Sequence, residues 1–405
     1  MKVVLIIGGA VSGSTAAQKL SEQGIKSVII DQNSMPYGKI EDGLPRWHEK
    51  QRISEYFKID EILSNELVSF VPNMKVGSDI SLEELMNMGW SCIYFANGAW
   101  KDRSFPVDEI ESFKNFYYQN PLVYWVNHYH EYGYPGASVS IEDNVIVIGG
   151  GLASIDVCKI SQLELVRQKV ESRIKNFDII EMEHKGIPDY LAEHGISYED
   201  LGIKGTTLIY RRDIESMPLT TIPDDLSEDM IEKRKMARRK ILENTTSKFL
   251  FKVLENTQPC GIHLENNLLV GLKVLTSKNI NGELKTIEDS EKVIKGQTFI
   301  SSIGSLPEPI QGLPMNGSVY DIVDQNSGKF NHLDSVHGMG NAITGKGNIK
   351  ASRVSAKTVS ELTMEDIIEI DSDSSEKIFE KVKEWQSKNN YDGDYFSWKA
   401  KVSQK

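Results

Sequence analysis

Two short glycine-rich stretches hold the residues best suited to chemistry. The first, "GGAVSG", sets Gly8, Gly9, Ala10, Val11, Ser12 and Gly13 between a β-branched run and a helical pattern. The second, "GGGLAS", sets Gly149, Gly150, Gly151, Leu152, Ala153 and Ser154 in the same context. A strand that enters a helix through such a turn aims backbone N–H groups and the helix N-terminus at a pyrophosphate. In the first turn Gly8 permits the tight bend and Gly13 the close packing of helix on strand. Ala10 stands where glycine lets the backbone approach the phosphates, so its methyl predicts a slight shift of the turn. Asp31, with Gln32 beside it, closes the next apolar run about 20 residues on, where a carboxylate takes ribose hydroxyls.

In the second turn Ser154 replaces the last glycine, and its bulk predicts a helix pushed away from the strand. The run "TLIYRR" follows and ends in Arg211 and Arg212. Guanidiniums form forked hydrogen bonds to phosphate, so this site is expected to take the 2′-phosphate of NADP(H). Two dinucleotide sites imply chemistry between two nucleotides. A flavin accepts hydride at N5 from a nicotinamide and releases electrons singly or in pairs, which needs no side-chain nucleophile.

The elements that position these residues are legible as a pattern. Residues 3–7 are apolar throughout, as in a parallel strand buried on both faces. "SVIID" and "SCIYFANGA" read as further strands, and "SLEELMNMGW" as a short capped helix. Residues 145–160 repeat the strand–turn–helix plan. Residues 224–242 read as a charged helix, and a hairpin turn is expected at "NINGE". "EIDSDSSEK" reads as a linker, residues 376–387 as an amphipathic helix, and the aromatic stretch 391–402 as a loosely ordered tail.

The 405 residues suffice for two or three domains, and 40% hydrophobic with 26% charged residues is ordinary for a globular protein. A net charge of −12 argues against a general nucleic-acid binder. No segment reaches the apolar length of a membrane span, and no export signal is read ahead of the first strand. Cys92, Cys158 and Cys260 form no C-x-x-C pair, so reduced thiols in a cytoplasmic protein are expected. His128, His130 and Glu131 lie close together, but no other ligand cluster accompanies them and no metal site is expected. The basic run "EKRKMARRK" reads as a solvated helix face; docking of an acidic partner is the sharper alternative.

Together these motifs resemble the flavoproteins with two dinucleotide-binding domains, specifically the ferredoxin–NADP reductases of the adrenodoxin reductase type and the glutamate synthase small subunit. "PYGKIEDGLP" resembles the stretch that lies along the flavin in that group, which makes Gly38, Lys39, Ile40, Gly43 and Leu44 expected FAD contacts. "RWH" puts His48 near the flavin edge, as the candidate catalytic side chain of a reaction carried mainly by the flavin. Val76 would lie near the adenine, and Ala96, Asn97 and Gly98 match the A-T-G-A segment with Asn97 for threonine. "VHGMGNAITGKGNIKASR" resembles the closing flavin motif, with Gly340, Asn341, Gly347, Asn348 and Ile349 at the cofactor. The resemblance implies an α/β protein of two Rossmann-like domains, the NADP domain inserted in the FAD domain. The expected division is 1–105 with 330–370 for FAD, 106–329 for NADPH, and 371–405 as a C-terminal helix and tail. It further implies an NADPH oxidoreductase that passes electrons to a ferredoxin-like or other redox acceptor. The alternatives are an electron-input subunit of a glutamate-synthase-like complex, and a flavin-binding protein with little turnover, motivated by Ala10, Leu152 and Asn341.

Overall fold

The computed structural model describes residues 1–134, 136–220, 227–280, 282–345 and 347–403. In chain order the helices are α1 (Val11–Ser21), α2 (Lys39–Asp42), α3 (Glu49–Leu63), α4 (Leu82–Met86), α5 (Gln119–His128), α6 (Leu152–Val170), α7 (Ile179–Lys185), α8 (Ile187–Glu193), α9 (Glu228–Phe249), α10 (Asn341–Thr344), α11 (Ile349–Leu362), α12 (Ser372–Lys388) and α13 (Tyr395–Val402). The first four strands are β1 (Val3–Ile7), β2 (Lys26–Ile30), β3 (Val68–Val71) and β4 (Cys92–Phe95). The chain divides into two units. One comprises Met1–Lys101 and Ser305–Lys405, the other Asp102–Gly304.

The discontinuous unit is built on a seven-stranded sheet. β3, β2, β1, β4 and Val336–Gly338 run parallel in that order, and the short strands Lys329–Phe330 and Ile322–Asp324 extend it antiparallel. Every residue of β1 is buried, because parallel neighbours flank it and apolar layers cover both faces. Alternation along the strands sends Val4, Ile6 and Ile29 to one layer, with α1, α3 and α11. It sends Val3, Leu5, Val28 and Ile30 to the other, with Leu82 and Leu85 of α4 and Ile378, Val382 and Trp385 of α12. The short capped helix expected after residue 80 is α4. Its Ser81 and Glu84 form a reciprocal capping box that satisfies two N–H groups at the helix start.

The inserted unit has a five-stranded parallel sheet in the order Phe116–Tyr118, Thr298–Ser302, Val145–Gly149, Thr206–Ile209, Lys252–Leu254. The antiparallel strands Thr257–Glu265, Leu268–Ile280, Glu283–Thr286 and Lys292–Lys295 form a second, smaller sheet. Leu269, Leu272 and Val274 of that sheet pack with Ile146, Ile148, Ile209 and Phe299 of the larger one. At "NINGE" Ile280 pairs with Glu283, while Asn281 lies outside the described residues. The charged helix starts at Glu228, and residues 224–226 of its expected range also lie outside them.

Three sequence expectations are revised. The border of the inserted unit falls after Lys101 and Gly304, not after residues 105 and 329. Phe105 belongs to the inserted unit's core, whereas Ile310, Leu313 and Tyr320 are buried against β1 and β4 of the other. The expected linker "EIDSDSSEK" supplies the first turn of α12. Asp371 caps that turn by accepting from the Ser374 N–H at 2.7 Å. Residues 391–402 are not a loose tail: Tyr391, Tyr395 and Trp398 are buried in the discontinuous unit's core, and of the four aromatic residues only Phe396 stands exposed. Among the described residues no helix is long and apolar enough to cross a membrane.

Candidate functional site

The first glycine turn joins β1 to α1 as a tight cradle. Gly8 has φ 95° and its N–H donates to the Ile30 carbonyl at 2.8 Å, which ties the turn to β2. A Cβ on Gly13 would overlap the Gly8 carbonyl oxygen, so only glycine lets α1 pack this closely. Val11, Ser12 and Gly13 open α1, whose first-turn N–H groups have no intrahelical acceptor. Val11 itself packs into the core, which leaves its backbone for any ligand.

Ala10 is not a displaced glycine. It is the residue before α1, and its methyl faces Gly38, where a Cβ would come within 2.9 Å. A side chain at Gly38 would thus meet the Ala10 methyl, and the glycine leaves it room. Gly38 has φ 52° and starts α2, which brings Lys39, Ile40 and Gly43 into the same region. Ile40 is buried in the core, whereas Lys39 lies over the Trp100 ring at 5.7 Å and donates to Ser305 Oγ at 3.2 Å. Leu44 and His48 follow, half-buried; His48 ends the short helix Arg46–His48 beside the buried Trp47.

Asp31 lies one residue beyond β2 and is 5% exposed. Its Oδ2 accepts from the Gly9 N–H at 2.8 Å and its Oδ1 from the Asn33 N–H at 2.9 Å. Burial pushes its carboxyl up to about 6, against the pull of those two donors. Each oxygen retains a second lone-pair direction for a ribose hydroxyl. Gln32 is next to it, half-buried. Ala96 and Asn97 press on the turn from β4: a Cβ at Gly8 would sit 2.7 Å from the Ala96 carbonyl oxygen. Asn97 donates to Tyr320 OH at 2.8 Å, and its buried Oδ1 has no hydrogen-bond partner among the described residues. Gly98 follows with φ 69°. Val76 is buried with the core below β1.

The returning segment closes the cradle. Gly340, with φ 66°, approaches Ser12 so closely that a Cβ would overlap the Ser12 hydroxyl, and its N–H donates to Ser355 Oγ at 3.0 Å. Asn341 opens α10 and lies beside Gly347. Asn348 caps α11 through the Ala351 N–H at 2.7 Å, and Ile349 is its first residue. Lys346, within the closing motif, lies outside the described residues. Buried carboxylate, orphaned amide oxygen, close-packed glycine turn and two helix N-termini together fit a pyrophosphate-linked dinucleotide.

The second turn is a cradle of different build. Ser154 adds a hydrogen bond as well as bulk. It is fully buried, and its hydroxyl donates to the Ser302 carbonyl at 3.0 Å, which ties the helix to the neighbouring strand. A Cβ on Gly149 would collide with that hydroxyl, and one on Gly150 with the Tyr210 ring. Gly151 precedes α6 and faces open space, while Leu152 is 50% exposed and Ala153 is exposed too. Arg211 and Arg212 follow Tyr210 past the strand Thr206–Ile209. Both are exposed and form no ion pair among the described residues. Their carbonyls are held, Arg211 by Ser277 Oγ at 2.5 Å and Arg212 by the Asn256 N–H at 3.0 Å. Half of the basic run on α9 is paired within the chain: Lys233 pairs with Asp229, Lys235 with Glu232 and Arg239 with Glu215, while Arg238 donates to the carbonyls of Glu215 and Thr220. His128 pairs with Glu131 at 2.7 Å. Sequence reading missed Tyr210, Ser302, Ser355 and Tyr320. Tyr210 stands within the run "TLIYRR", but its packing on Gly150 shows only in the fold, and the other three act across long separations outside the quoted motifs.

No family model matches the chain. It is similar to the mitochondrial NADPH:adrenodoxin oxidoreductase of Arabidopsis thaliana, 28% identical over 159 residues, which are 39% of this chain and 32% of that protein. It is also similar to the glutamate synthase [NADPH] small chain of Escherichia coli, 22% identical over 324 residues, 77% of this chain and 56% of that one. The matches thus span about a third to a half of these relatives' lengths. Among solved structures, Mycobacterium tuberculosis FprA in complex with NADPH superposes with a TM-score of 0.74 at 17% identity, covering 96% of this chain and 91% of that one. The chain shares the α/β fold of that structure.

Proposed function

We propose that this chain is an FAD-dependent NADPH oxidoreductase that passes electrons to a ferredoxin-like or other redox acceptor. The observation that carries the reading is the presence of two strand–glycine–helix cradles of different character. The first has a buried carboxylate for ribose hydroxyls, and the second ends in two exposed guanidiniums that form no ion pair among the described residues. The names of its relatives, an NADPH:adrenodoxin oxidoreductase and an NADPH glutamate synthase small chain, support the same class.

In this reading FAD, when bound, supplies the hydride acceptor and NADPH the hydride. The chain's own residues bind and orient. The α1 N-terminus and the Gly8–Gly13 turn hold the FAD pyrophosphate, Asp31 the ribose, and Asn97 Oδ1 takes a donor from the ligand. The Asn348–Ile349 start of α11 offers further N–H groups, and His48 is the candidate group at the flavin edge. Gly149–Ser154 hold the NADPH pyrophosphate, and Arg211 and Arg212 its 2′-phosphate. A reducing, cytoplasmic setting suits the three unpaired cysteines.

The test is anaerobic titration of the purified protein with NADPH and then NADH. A yellow protein whose visible flavin band is bleached by NADPH, and more weakly by NADH, is expected. Protein that stays colourless after incubation with FAD would remove the flavin. Yellow protein that never bleaches would leave a flavin-binding protein without reductase activity.

A further inference from the structure

The last helix is joined to the first cradle by a continuous set of contacts. Trp398 Nε1 donates to the Ser34 carbonyl at 2.8 Å. Asp60, buried in α3, accepts from Tyr37 OH at 2.8 Å, Tyr395 OH at 2.7 Å and Lys399 Nζ at 2.5 Å. Ser34 and Tyr37 bracket Pro36. That proline packs on the glycine turn: a Cβ on Gly9 would sit 2.7 Å from Pro36 Cβ. Gly38, next to Tyr37, faces the Ala10 methyl. The loop after Asp31 is therefore pressed on its inner side against the phosphate-binding turn and gripped on its outer side by α13. The helix is itself anchored: Tyr391 and Tyr395 meet Phe70 of β3 edge-on at 5.8 Å, and Trp398 meets Tyr391 at 5.6 Å.

From this we infer that α13 is a clamp on the first nucleotide site, with Trp398, Tyr395 and Lys399 positioning the Ser34–Gly38 loop so that FAD is retained. The inference rests on the reading of FAD in that site. The physical reason is that residues 32–38 have no sheet or long helix of their own to hold them. Trp398 on the Ser34 carbonyl, and Asp60 as the acceptor that Tyr37 of the loop shares with Tyr395 and Lys399 of α13, supply that hold, and the three donors also satisfy a carboxylate that burial would otherwise leave poorly compensated. Linkage then requires reciprocity: if α13 holds FAD, FAD must hold α13.

The experiment uses the full chain loaded with FAD. Dissociation is followed by the recovery of free-flavin fluorescence after dilution. Trp398→Phe removes the donor to Ser34, and Lys399→Met removes the cation at Asp60. Lys399→Arg restores it, and Trp385→Phe loosens α12 on the opposite face of the sheet as a control. Loss of one hydrogen bond predicts FAD release about five- to tenfold faster in the first two variants. Lys399→Arg and the control are expected within about twofold of wild type, on the same small-effect scale. In the unmodified protein, hydrogen exchange at 395–402 is expected to slow on adding FAD by a larger factor than at 372–388. Unchanged release in both variants, equal acceleration by the α12 control, or exchange in α13 indifferent to FAD would each overturn the clamp while leaving the flavin in place. Wild-type protein that binds no FAD would overturn the cofactor reading beneath it.

Discussion

Replacing Arg211 and Arg212 by alanine tests how the second cradle chooses its nucleotide. Both side chains are exposed and form no ion pair among the described residues, so their removal strands no buried charge. Their backbone is held independently, through Ser277 Oγ on one carbonyl and the Asn256 N–H on the next. Stability should therefore move by less than about 0.5 kcal/mol, the range for surface substitutions. A guanidinium on phosphate contributes about 1.5–3 kcal/mol, and exposure puts these two at the lower end, which is about tenfold in affinity each. The double variant is expected to bind NADPH about 30- to 100-fold more weakly and NADH within about twofold of wild type, by the same conversion. The wild-type preference should itself shrink as salt rises, since exposed charges are screened. Calorimetric titration of both nucleotides at two salt concentrations reads all of this. Equal losses for NADPH and NADH, or no loss for either, would refute the assignment of the pair to the 2′-phosphate.

Asp31 predicts a pH dependence whose sign follows from its raised pKa. Below about pH 4 the carboxyl is protonated in both the folded and unfolded chain; between about 4 and 6 only the unfolded chain ionises, so apo-protein stability falls by about 3 kcal/mol as pH rises through that window. Ribose hydroxyls donate to the carboxylate, so FAD affinity should move the opposite way, weakening by up to about tenfold per unit below pH 6; a flat fluorescence titration from pH 5 to 7.5 would remove Asp31 as the ribose ligand. Gly13→Ala drives a methyl into the Gly8 carbonyl, and is expected to abolish FAD retention and lower the melting temperature, both read by thermal denaturation with and without FAD. Ser154→Gly restores the residue usual at that place in a dinucleotide turn, yet it should cost about 1–2 kcal/mol in denaturant unfolding, because the Ser302 carbonyl loses its donor.

The sequence alone specified the local devices. Runs such as residues 3–7 and 145–149 are apolar at every position, and only a parallel strand covered on both faces accommodates that. The tight bend at Gly8, the Ser81–Glu84 capping box and the carboxylate just past β2 each depend on a few neighbouring residues, so they were legible without partners. What the tertiary structure decided lies across long separations. Ser154 reads as a bulky replacement until the Ser302 carbonyl, 148 residues away, is seen to accept a hydrogen bond from its hydroxyl. Ala10 reads as an impaired glycine until Gly38 is found opposite its methyl. The last helix reads as a frayed tail, because its amphipathic face has meaning only once β3 leaves an edge and Asp60, 335 residues from Tyr395, waits as a buried acceptor. Backbone conformation is set by adjacent residues, but which polar atom is satisfied and which methyl fits depends on surfaces that only folding brings together.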